Sequence, residues 1–147
     1  MKISRRISEI PISEFMTRNV ISIDPNAPLE RLNRIFEEHN FNAVPVIENN
    51  KLIGVVNKVD FMTVFRKSMN RDFKIYRELM QLPVKEVMRQ AVIALNPEDT
   101  IEKALEYMIG FRLRGIPVVN VKKDILGIVS RNDIVKKLMQ EDIRNND

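Results

Sequence analysis

Gly115-Ile116-Pro117-Val118-Val119, followed by Ile125-Leu126-Gly127-Ile128-Val129-Ser130-Arg131-Asn132-Asp133-Ile134-Val135, is the stretch from which the rest of the chain can be read. Two short apolar runs separated by a polar turn are expected to form a pair of buried strands. The second run leads straight into a helix, so Ser130 and Asp133 fall at a strand-to-helix corner. The chain repeats the pattern in Ala43-Val44-Pro45-Val46-Ile47 and Leu52-Ile53-Gly54-Val55-Val56-Asn57-Lys58-Val59-Asp60. Met16 and Met88 differ by 72, as do Pro25 and Pro97, Leu29 and Ile101, and Pro45 and Pro117. After the turn the offset is 73, matching Gly54 with Gly127 and Asp60 with Asp133, so the second turn holds one extra residue. A register kept this long identifies an internal duplication.

Composition bounds the class. The 147 residues, 44% apolar and 30% charged, fit one ordinary domain or two small units. No apolar run approaches a membrane span, and the start of the chain has no signal-peptide core. Cysteine is absent, which excludes disulfides and thiolate chemistry and leads to the expectation of a cytoplasmic protein. The net charge of +4 permits an anionic ligand without demanding one.

Along the chain, residues 1–11 form an arm with Ile3, Ile7 and Ile10 at helical spacing and Lys2, Arg5 and Arg6 as its basic groups. The first repeat occupies 12–65. In it, Val20 to Ile23 is expected as a strand, Asp24 to Pro28 as a helix entry, and Leu29, Leu32, Ile35 and Phe36 as one helical face. Glu48-Asn49-Asn50-Lys51 is hairpin-turn chemistry. Residues 66–83 match nothing in the repeat. They carry five basic side chains (Arg66, Lys67, Arg71, Lys74, Arg77) against Asp72 and Glu78, and Met69, Phe73, Tyr76 and Met80 recur at helical spacing. The second repeat, 84–140, has a strand expected at Val92 to Leu95, a helix face of Ile101, Ala104, Leu105 and Met108 ended by Gly110, and a last helix from Ile134 to about Gln140. Residues 141–147 form a polar tail expected to fray. Each repeat is therefore β-α-β-β-α, an α/β (α+β) arrangement. Each looks too small for a full core, so two units are expected to cover each other's sheets.

Enzymatic chemistry fails on inventory. His39 is the only histidine, and there is no thiol to complete a metal site. With four glycines in all, there is neither a nucleophile elbow nor a phosphate-cradling Gly-rich loop. The expectation is that the chain is not an enzyme. The corners remain. Ser130 with Asp133, and Asn57 with Asp60, have the spacing of a capping box. The same geometry suits a ligand, because a carboxylate at such a corner can accept both ribose hydroxyls and the helix N-terminus favours phosphate.

Met16-Thr17 before the first strand, the Val-Pro-Val and Ile-Pro-Val strands, and the Gly-Val-Val-Asn-Lys-Val-Asp and Gly-Ile-Val-Ser-Arg-Asn-Asp corners together resemble tandem CBS domains. The likeness runs from Ile12 to Leu138. It implies a pseudo-twofold pair, the Bateman module, that forms a homodimer and binds adenine nucleotides or related adenosyl ligands in the cleft between motifs. Carried over residue by residue, one site would use Ser130, Asp133 and Arg131 with Thr17, Val20, Ile21, Asn42, Ala43 and Val44. The other would use Asn57 and Asp60 with Val92, Ile93, Arg112, Arg114, Gly115 and Ile116. Asn57 departs from the Ser or Thr usual in the family, which weakens that second site.

The expected function is regulatory: AMP, ADP, ATP, S-adenosylmethionine or NAD binds and a conformational change passes to an effector protein. No catalytic cofactor or dedicated metal ligand is expected, and Mg2+ would enter only with ATP. The alternatives are an interaction subunit with empty pockets, or nucleic-acid binding through the basic link, which is the less favoured reading.

Overall fold

The computed structural model describes residues 5–66, 68–70 and 72–145. Lys2, Ile3, Lys67 and Arg71 lie outside the described residues. The chain divides into two compact units that cut across the duplication. A central unit runs from Ile21 to Val92, and a terminal unit combines the residues up to Val20 with those from Ile93 onward.

Both predicted strand pairs form antiparallel hairpins. In the central unit β1 (Ala43–Glu48) pairs with β2 (Lys51–Asn57). In the terminal unit β3 (Gly115–Val119) pairs with β4 (Ile125–Ser130). Val46 faces Gly54, and Val118 faces Gly127, so the register is duplicated along with the sequence. The β1–β2 turn consists of Asn49 and Asn50, with φ of 52° and 65°. Two successive left-handed residues make the tight turn that matches strand twist, and asparagine tolerates that conformation. The β3–β4 turn is built instead on Asn120, whose Oδ1 accepts the Lys122 and Asp124 N–H groups at 2.9 and 3.0 Å.

The expected first strand of each repeat shrinks to a single parallel bridge, Ile23 with Val46 and Leu95 with Val118. The prolines explain this. Ile23 donates to the Pro45 carbonyl at 3.0 Å and accepts from the Ile47 N–H at 2.9 Å. The next rung on one side would need an N–H from Pro45, and the next on the other side an N–H from Pro25. Neither exists, so the ladder stops after one bridge. Pro117 and Pro97 impose the same limit around Leu95.

Helix α1 (Leu29–Glu38) buries Leu29, Leu32 and Phe36, and α4 (Ile101–Gly110) buries Ile101, Ala104 and Met108. The α4 N-cap is Thr100, whose hydroxyl accepts the Lys103 N–H; α1 has no side-chain cap at Pro28. Each unit carries its own buried cluster, around Val44, Val46, Leu32 and Val84 in one and Ile116, Val118, Ile101 and Ile12 in the other. Neither buried cluster is built from one repeat alone, because each unit borrows its lead-in segment from the other repeat. The segment leading into the first repeat, Ile12 to Thr17, lies against β4, where Thr17 and Ile128 exchange backbone bonds of 2.8 Å in both directions. The segment leading into the second repeat lies against β2, through Arg89 and Val55 at 2.8 and 3.0 Å.

The link is shorter as a helix than its periodicity suggests. Helix α2 (Lys58–Arg66) continues from β2, and α3 (Phe73–Met80) is capped by Asp72, which accepts the Lys74 and Ile75 N–H groups. Of the four predicted apolar positions Met80 is buried, Tyr76 packs on the Phe65 ring, and Met69 and Phe73 stand exposed. At the other end α5 (Arg131–Asn145) runs through much of the expected polar tail. Glu141 is buried there, and its carboxylate meets Arg5 at 2.6 Å and Lys137 at 3.3 Å. Ion pairing to the arm thus carries the helix past Gln140. Among its described residues the arm makes a 3-10 turn, Ile7–Glu9, with Ile10 buried and Ile7 half exposed.

Candidate functional site

The terminal unit brings four predicted residues to the end of β4. The last strand residue, Ser130, leaves its side chain at the start of α5. Its hydroxyl accepts the Asp133 N–H at 3.1 Å, while the Asp133 carboxylate accepts the Ser130 N–H at 2.9 Å. This is the reciprocal capping box that the spacing implies. The lead-in adds a third group: the Thr17 hydroxyl donates to both Asp133 oxygens at 3.1 Å. Arg114, just before β3, accepts the Arg131 N–H on its carbonyl at 3.1 Å, which fixes the first turn of α5. Thr17 is exposed and Asp133 only half buried, so the carboxylate and two short hydroxyls face solvent together. A carboxylate has about four acceptor positions, and the long Thr17 contacts leave it able to take further donors.

The central unit has its own strand-to-helix corner, where the capping box expected of Asn57 and Asp60 gives way to a contact from the lead-in. Asn57 ends β2, and Lys58 donates its N–H to the Asn42 carbonyl at 2.8 Å. Asp60, three residues past Asn57, is held from the lead-in by Arg89. Its Nε reaches one carboxylate oxygen at 2.6 Å and its Nη2 the other at 2.9 Å. That bidentate contact, with Asp60 raising the guanidinium pKa further above its ordinary value, keeps Arg89 charged. An open pocket of about 250 Å³ lies here, lined by Asp60, Thr63, Val64, Val87 and Arg89.

The remaining predicted residues distribute by unit. Thr17, Val20, Ser130, Arg131 and Asp133 belong to the terminal unit, while Ile21, Asn42, Ala43 and Val44 belong to the central one. Of the second set, Asn57, Asp60 and Val92 are central, and Ile93, Arg112, Arg114, Gly115 and Ile116 are terminal. Val44 and Ile116 have no exposed surface, so their side chains serve the cores and only their main chains are left for a ligand. Arg112 has a φ of 55° and sits just past α4, where the Leu113 N–H closes onto the Met108 carbonyl at 3.0 Å. Its backbone is a left-handed helix stop of the kind usually given to glycine. Arg89 was missed by the sequence reading. The offset of 72 that pairs Met16 with Met88 also places Arg89 where the first repeat has Thr17, and that alignment was the available signal.

Among the described residues no group of His, Cys, Asp and Glu is placed to hold a metal ion. Nor is any helix long and apolar enough to cross a membrane.

Comparison with known proteins agrees with this geometry. The CBS domain family model matches twice, over residues 12–67 and 84–140. The structure of MJ1225 from Methanocaldococcus jannaschii superposes with a TM-score of 0.82 at 25% identity, covering 89% of this chain and 48% of that one. CBSX2, solved in complex with AMP, matches at 0.75 and 22% identity over 89% of this chain and 97% of its own. The CBS domain pair of MJ0100, solved with 5′-methylthioadenosine and S-adenosyl-L-methionine, matches at 0.70 and 20%, again over 89% and 97%. The chain spans 22%, 46% and 40% of the length of the first three curated relatives it matches.

Proposed function

Since the chain belongs to the CBS domain family and carries the motif twice, we propose that it is a regulatory module, not a catalytic one, that binds an adenosyl ligand at the Ser130–Asp133 corner. The observation that carries the reading is the convergence of the Asp133 carboxylate, the Thr17 hydroxyl and the start of α5. Asp133 would accept the ribose diol, and Thr17 and Ser130 would turn their hydroxyls to the sugar or phosphate. The positive end of the α5 dipole favours an anion nearby. Arg131, exposed on that turn, adds charge. Two structural neighbours solved with AMP or with S-adenosylmethionine and methylthioadenosine support the adenosyl class.

Binding regulates only insofar as it favours one conformation over another, and the output passes to a partner protein. Homodimerisation belongs to the same proposal. It is supported by Val135, Met139 and Ile143, which stand exposed four residues apart on α5, and light scattering measures it directly.

A thermal-shift screen against AMP, ADP, ATP, S-adenosylmethionine, NAD, GTP and inorganic phosphate tests the function. A ligand at a hundred times its Kd adds about 2.7 kcal/mol of stability. The reading predicts a rise with an adenosyl compound that Asp133→Ala strongly reduces. No rise with any of them at millimolar concentration contradicts it and leaves the corner as a helix cap.

A further inference from the structure

The lead-in residue that meets the corner carboxylate is Thr17 in one unit and Arg89 in the other, and the difference changes what each can bind. Thr17 places one neutral donor over Asp133, at 3.1 Å from either oxygen, and a hydroxyl can rotate away. Arg89 instead lays a charged fork across both oxygens of Asp60, at 2.6 and 2.9 Å. Two adjacent ribose hydroxyls need those same two oxygens.

Building on the adenosyl reading, we propose that Arg89 is the specificity-determining residue of the Asp60 corner. It gives that corner a preference for adenosyl ligands bearing a phosphate over neutral nucleosides. A neutral nucleoside must evict the guanidinium and leave it without an anion. A nucleotide takes Asp60 with its diol and gives the released guanidinium a phosphate in exchange, a bidentate partner of equal quality. The side chain has the freedom to make that exchange: Arg89 is 61% exposed while Asp60 is 22% exposed, so the cation moves and the carboxylate stays. The adjoining pocket, walled by Val64 and Val87, has Thr63, Asp60 and Arg89 as its polar groups, and Arg89 is the cation among the described residues that line it. An exposed pair of this kind resists displacement by roughly tenfold at most, so the restriction is a preference set by one residue.

The test is calorimetric titration of AMP and of adenosine into the full chain carrying Asp133→Ala, with and without Arg89→Thr. Arg89→Met, close in length and neutral, serves as a second variant. The expected result is AMP binding about tenfold tighter than adenosine in the Asp133→Ala protein, with the gap closing to about threefold in either Arg89 variant. An unchanged ratio of the two affinities in both Arg89 variants overturns the proposal. Wild-type binding that disappears completely with Asp133→Ala also overturns it, because the Asp60 corner then takes nothing, while the adenosyl reading stands. Absence of heat from either ligand with every protein, wild type included, overturns both.

Discussion

At the scale of single residues, the chain places a non-glycine where a glycine is expected. Gly110 ends α4 without using its freedom, and the left-handed turn falls two residues later on Arg112, at φ 55°. A side chain in that region costs about 1 kcal/mol that glycine does not. Arg112→Gly is therefore expected to raise stability by up to about 1 kcal/mol, reduced by the added freedom of the unfolded chain. Chemical denaturation measures it, and a loss of stability would show that the Arg112 side chain is engaged. Asp133 is the reverse case, since its capping role was readable from the Ser130 spacing alone. The Thr17 contact was not, because a sequence separation of 116 residues carries no local signal.

At the scale of elements, the duplication made both hairpins and four of the five helices legible, since turn chemistry and apolar period acted locally. The exchange of lead-ins between repeats was not legible from local pattern, and only the family resemblance set Thr17 beside Ser130 and Asp133. The motif reads continuously along the chain, whereas the fold sets Ile12 to Thr17 against the hairpin of the second repeat. The motif glycines record that exchange. A Cβ on Gly127 would lie 2.7 Å from the Thr17 carbonyl oxygen, and one on Gly54 would lie 2.9 Å from that of Arg89. Neither glycine has a positive φ, so close approach of the lead-in explains the residue and conformational freedom does not. Backbone cannot yield as a flexible side chain does. Gly127→Ala should cost about 1–3 kcal/mol and displace Thr17 from Asp133, lowering ligand affinity as well as stability. Denaturation together with AMP titration checks both, and a stable variant with unchanged affinity would refute the argument. The overestimated first strands teach the same lesson. Alternation in Val20 to Ile23 was real, but Pro25 and Pro45 remove the N–H groups on which longer pairing depends.

At the scale of the whole molecule, the ion cluster at Glu141 ties the N-terminal arm to the C-terminal helix within one unit. Hydrogen bonding from Arg5, helped by Lys137, holds the Glu141 carboxyl below its ordinary value against the opposing effect of burial. A carboxyl lowered in the folded state contributes stability above the unfolded value of about 4.5, and loses it as pH falls through the folded value. Melting temperatures taken from pH 6 downward should fall more steeply below about pH 4.5 for wild type than for Glu141→Gln. Parallel curves would show that the cluster contributes nothing. The sequence pointed to neither partner, because Glu141 sits in a run of polar residues that reads as a fraying end. By composition the chain has no cysteine and one histidine, which leaves little material for thiolate or imidazole chemistry. The proposed binding chemistry rests on two carboxylates, Asp133 and Asp60, distinguished by their contacts with Thr17 and Arg89. The most direct measurement is calorimetric titration of AMP into wild type, Asp133→Ala and Asp60→Ala. The account predicts that Asp133→Ala removes the tighter binding event and Asp60→Ala leaves it in place. AMP binding of undiminished affinity and stoichiometry in Asp133→Ala would contradict it.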